Sequence, residues 1–131
     1  MTGLDTNVLV RYLVQDDPQQ AARATQIMER ELTEAVPGFI ALVVLIETTW
    51  VLQRLYRARR EEIGQTVSDL LSTRSIVIEN RDVVARALAI SEKNGCGFAD
   101  AVIAASAWNA GCTKIVSFDR GARRAGMTLV E

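Results

Sequence analysis

Four acidic residues hold positions that ordinary surface chemistry does not account for: Asp5, Glu47, Asp100 and Asp119. Asp5 breaks an apolar opening, MTGLDTNVLV, with Thr6 and Asn7 directly behind it. In a buried strand end such a carboxylate is costly unless it has a partner or a purpose. Asp119 follows the apolar run KIVSF in the same way. Glu47 has Val43, Val44, Trp50 and Val51 as its helical neighbours, so its spacing places it inside an apolar stripe. No cation adjoins it, since Arg54 is two turns on. Asp100 stands in the first turn of an almost wholly apolar helix, where the partial positive charge of the helix start favours an anion. Taken singly, Asp5 and Asp119 could be helix caps and Asp100 a first-turn acid. Glu47 resists so plain a reading.

If these acids converge, their like charges repel and one or more would take up a proton. A hard divalent cation relieves that conflict, because magnesium prefers oxygen ligands and needs few protein carboxylates. Such a site can hold a phosphodiester oxygen and activate a water for hydrolysis. Thr6, Asn7 and Ser117 could hydrogen-bond the acids or the waters around the cation. The composition narrows the chemistry in the same direction. There is no histidine, which removes Ser-His and Cys-His pairs, histidine bases and His-ligated zinc. Lys93 and Lys114 are the only lysines among 15 basic residues. The others are arginines, which suit bidentate phosphate contact, although a genomic preference for arginine codons gives the same count.

The acids are carried by short apolar runs that alternate with helical patterns. MTGL, PGFIA, SIVIE, KIVSF and MTLV read as strands. Helical stripes follow from Asn7 to Val14, along DDPQQAARATQIMEREL, along LVVLIETTWVLQRLY and from Arg59 to Ser72. Asp17, Pro18 and Gln20 form a helix-start signature, Asn80 is expected to cap the helix after SIVIE, and Gly111 closes FADAVIAASAWNAG. Strands alternating with helices define an α/β protein with a mainly parallel sheet. Strands without strict alternation are expected where both sheet faces are covered. In such sheets the site lies beyond the carboxyl ends of the strands, where Asp5 and Asp119 fall.

A chain of 131 residues is expected to form one domain with a core that needs no staples. The longest apolar run, FIALVVLI, is too short to span a bilayer, and the opening lacks the pattern of a signal peptide. Cys96 and Cys112 form no CxxC, so a reduced, cytoplasmic setting is the expectation. A net charge of -1 means that any basic surface for nucleic acid must be local.

The motifs LDTNVLVRYL, LIETTWVL, FADAVIAASAWNAGC and KIVSFDRGARR, in this order and spacing, resemble the PIN-domain ribonucleases. The nearest group is the VapC-like toxins of bacterial toxin–antitoxin pairs, and the resemblance runs from Thr2 to about Leu129. It implies one PIN-like nuclease domain over residues 1–131, with a parallel sheet of order 3-2-1-4-5 and helices on both faces. It also implies a magnesium- or manganese-dependent endoribonuclease. In that reading Asp5, Glu47 and Asp100 are the core metal-binding and catalytic acids, and Asp119 is the fourth. Thr6, Asn7 and Ser117 fall on the family's polar positions around the site. Many relatives carry a further acid three residues before Asp100, where this chain has Gly97. The implied partners are an RNA substrate, a small antitoxin and a second copy of the chain. Trp50, Leu55 and Tyr56 could face a partner, with the core as the plainer reading for Trp50. Arg54, Arg57, Arg59, Arg60 and Arg120 could contact RNA phosphate, with a solvated helix end as the plainer reading.

Rival readings remain open. A receiver-like magnesium-binding phospho-switch has the right size and class, but it needs an aspartate after a central strand and a lysine after a late one. SIVIE ends in Glu79 and Lys114 precedes its strand, and Glu47 has no role in that scheme. A PIN-like protein that only binds a partner, or a PIN nuclease outside toxin–antitoxin systems, fits the same motifs.

Overall fold

The computed structural model describes residues 1–130, which divide into two compact units. The first comprises residues 1–58 and 69–79, and the second comprises residues 59–68 and those from Asn80 onward.

The first unit is built on three parallel strands, β1 (Thr2–Gly3), β2 (Gly38–Ile40) and β3 (Ile76–Ile78). β2 lies between the other two, with Thr2 opposite Gly38 and Gly38 opposite Ile76. Gly38 makes this packing possible. A Cβ there would lie 2.7 Å from Leu32 Cδ1 and 2.9 Å from Leu4 Cδ1. The helices are α1 (Thr6–Val14), α2 (Pro18–Gln26) and α3 (Leu42–Tyr56), and α2 runs on into a π-helical turn, Ile27–Glu31. Asp17 caps α2 by accepting from the Gln20 N–H at 3.1 Å, with Pro18 in the first turn. The Gln20 side chain does not close the reciprocal half of that cap but accepts from Arg11 Nε at 2.7 Å. Buried Leu4, Leu9, Val10, Met28, Ile40, Leu45, Ile76 and Ile78 form the apolar interior.

The second unit contains the first three-quarters of α4 (Arg60–Leu71), then α5 (Arg81–Asn94) and α6 (Phe98–Asn109). α5 packs along α6. The small buried residues Ala87, Ala101, Ala104 and Ala105 let the two backbones approach closely. Two further parallel strands, β4 (Val116–Ser117) and β5 (Thr128–Leu129), are joined by a 3₁₀ segment, Arg120–Ala125. Gly111, at φ +96°, follows the end of α6 as the sequence requires. Asn80 precedes α5 but does not cap it through its side chain. Its backbone is left-handed, at φ +53°, and its side chain makes no capping bond.

The fold is therefore α/β with parallel strands and flanking helices. The two ladders give the 3-2-1 and the 4-5 parts of the expected strand order. No helix among the described residues is long and apolar enough to cross a membrane.

Candidate functional site

In the first unit, Asp5 directly precedes α1, two residues beyond the end of β1. Its backbone takes the N-cap conformation, and its carbonyl accepts from the Val8 N–H at 3.1 Å. The side chain, however, makes no capping hydrogen bond. Aspartate is favoured at this position because its carboxylate usually satisfies a free N–H there, so this carboxylate is left to other use.

Glu47 is corrected on two points. The sequence reading places it on a buried apolar stripe, yet it is exposed, as are Val43 (74%) and Trp50 (54%) on the same face. α3 buries Leu45, Thr48, Thr49 and Leu52 instead. The helix is apolar nearly all round, so hydrophobicity alone does not distinguish its inner from its outer face. Glu47 also has a partner, 41 residues away in sequence. The buried Thr6 hydroxyl donates to Glu47 Oε1 and fixes the carboxylate against the start of α1. Asn7, the next residue, is exposed and lines a largely apolar groove of about 270 Å³ with Val8, Arg11, Gln20, Arg23 and Ala24.

In the second unit, Asp100 is the third residue of α6 and half-buried. Burial raises its pKa above the ordinary carboxylate value, and the negative charge of Asp119 raises it further. Asp119 follows β4 and caps the 3₁₀ segment, accepting from the Gly121 N–H at 3.0 Å. The plain reading of Asp119 as a cap is thus correct, and it acts on Asp100 as well. Ser117 does not bond the Asp119 carboxylate. Its hydroxyl accepts from the Asp119 backbone N–H at 3.0 Å, which fixes the turn.

In the first unit Asp5 thus adjoins Thr6, which holds Glu47, and in the second Asp119 acts on Asp100. Among the described residues of either unit, no three acidic or thiol side chains gather closely enough to hold a metal ion. The donors present are carboxylate and hydroxyl oxygens, the set that hard divalent cations prefer. Asp100 and Asp119 fit a cation on a further ground, because Asp100 carries a like-charge repulsion that a bound cation would relieve.

The arginines are engaged to different degrees. The Arg54 guanidinium lies 5.6 Å from the centroid of the Trp50 ring. Arg57 ends α3 in the left-handed conformation. Arg59 pairs with Glu62 at 3.2 Å and Arg60 with Glu61 at 3.3 Å. Such exposed pairs are weak enough to yield to a phosphate. Arg120 is exposed at the start of the 3₁₀ segment. Trp50 is not core, which corrects the plainer reading of that residue. Leu55 is exposed, and the Tyr56 hydroxyl donates to Asp16 at 2.9 Å. Sequence reasoning gave no structural role to Glu79, whose carboxylate accepts from the Leu42 N–H at 2.8 Å. An acid just past a strand is the only signal that could have marked it.

The family model of the PIN domain matches residues 4–127, and the chain belongs to that family. It is similar to a VapC ribonuclease of Aquifex aeolicus (strain VF5), with 25% identity over 130 residues that cover 99% of this chain and 96% of the relative.

Proposed function

We propose that residues 1–131 form one metal-dependent endoribonuclease domain that acts as the toxin of a toxin–antitoxin module. The observation that carries this reading is the Asp100–Asp119 pair, two acids of like charge in a setting that raises the pKa of one of them. The family match over residues 4–127 and the VapC relative support it. Asp5, Glu47, Asp100 and Asp119 are the catalytic acids and would hold magnesium or manganese. When bound, the cation supplies Lewis acidity toward a phosphodiester oxygen and toward the attacking water. Thr6 holds the Glu47 carboxylate in place, and Ser117 fixes the turn that presents Asp119. Asn7 would hydrogen-bond the acids or the waters around the cation, and with no histidine present proton transfer falls to carboxylates and water.

The substrate is RNA, contacted through phosphate by Arg54, Arg57, Arg59, Arg60 and Arg120. The protein works in the cytoplasm as a homodimer restrained by a small antitoxin. Production of the chain without an antitoxin is expected to arrest bacterial growth and to leave discretely cleaved RNA. The Asp5→Asn variant, made at equal level, is expected to do neither. Normal growth and intact RNA with abundant folded wild-type protein would refute the toxin reading.

A further inference from the structure

The link between β2 and α3 is a single residue, Ala41. Its backbone, at φ -65° and ψ 149°, is in the conformation of a helix N-cap. An alanine has no side-chain acceptor, and the first turn of α3 contains no acid. By its own sequence this helix would start with its leading N–H groups unsatisfied and its dipole uncompensated. The cap arrives from another element. Glu79, immediately after β3, accepts from the Leu42 N–H through Oε1 at 2.8 Å. Its own backbone N–H donates to the Ile40 carbonyl at 3.0 Å. One residue thus grips both sides of the Ala41 joint, the strand before it and the helix after it.

We propose that Glu79 is a positioning residue for Glu47, acting through this cap on α3. The inference rests on the nuclease reading above, and it adds a residue that never touches substrate. Glu47 lies five residues beyond Leu42, roughly 7.5 Å along the helix axis. A tilt of about 10° at the joint would move it by about 1.3 Å. Misplacements of about 1 Å are enough to slow an enzyme strongly. Thr6 holds Glu47 only at its carboxylate, so the direction of the helix beneath it depends on the joint.

The test compares wild type, Glu79→Ala, Glu79→Gln and the double variant Glu79→Ala/Ala41→Ser. Amide hydrogen exchange over the first turn of α3 is measured without metal. The kcat and KM for cleavage of a single-stranded RNA are measured in magnesium. In Glu79→Ala, exchange in that turn is expected to be about tenfold faster. Its kcat is expected to fall about tenfold with KM unchanged. Glu79→Gln keeps an acceptor oxygen, and Ala41→Ser supplies a local one, so both are expected to recover exchange and kcat together. Unchanged exchange in Glu79→Ala would remove the cap. Faster exchange with unchanged kcat would make the cap structural only and overturn the positioning role. If the exchange responds as expected but wild type cleaves no RNA, the nuclease reading falls and the positioning role falls with it, while the cap stands.

Discussion

Asp100 is the residue whose surroundings make the most specific demand. Burial and, after it, the charge of Asp119 both favour its protonated form, so the native state binds a proton more tightly than the unfolded chain does. Stability from this group is fully present below the ordinary aspartate value of 3.8 and is lost as pH rises through the raised native value. In EDTA, urea unfolding from about pH 4 to 7 is expected to show Asp100→Asn gaining on wild type as pH rises. A constant difference between the two proteins would remove the raised pKa. At Thr6, replacement by valine keeps the shape and deletes the donor to Glu47. Thr6→Val is expected to lose most RNA cleavage while folding with a change of about 1–2 kcal/mol, read from the urea midpoint. The places of Asp5, Asp100 and Asp119 in the fold were legible in the sequence because strand ends and helix starts are local features. The exposure of Glu47 was not, because α3 is apolar on both faces and its partner Thr6 lies 41 residues away.

At the scale of elements, the helices were legible nearly to the residue where a local signal exists. Asp17 and Pro18 mark the start of α2, and Gly111 closes α6. Asp17→Ala is expected to cost about 1 kcal/mol, measured as a lower urea midpoint with an unchanged slope. No change in midpoint would mean that the 3.1 Å bond to Gln20 contributes nothing. Where the signal is not local, sequence reading failed. Asn80 looks like a cap and is a left-handed turn residue. The residue that caps α3 is Glu79, 37 positions beyond the N–H it satisfies. The strands proved shorter than their apolar runs, since a ladder ends where its neighbour ends. KIVSF contributes only Val116–Ser117 to its ladder with β5.

At the scale of the whole molecule, the proposed metal-dependent reading predicts a protein that is more stable with a divalent cation than without one. At a hundredfold excess over the dissociation constant, binding to the native state alone gives about 2.7 kcal/mol. Thermal melts are therefore expected to rise with magnesium in wild type and to rise less in Asp100→Asn. Equal shifts in the two proteins would exclude Asp100 as a ligand. The fold class was legible from the alternation of strands and helices, and the family from four motifs that the PIN family match then covered. The most direct test of the central claim is cleavage of a single-stranded RNA by purified protein, with magnesium or with excess EDTA. Wild type is expected to cut only with magnesium, and folded Asp5→Asn, Glu47→Gln and Asp100→Asn are expected to lose most of that activity. Undiminished cleavage in EDTA, or by Asp100→Asn, would contradict the account.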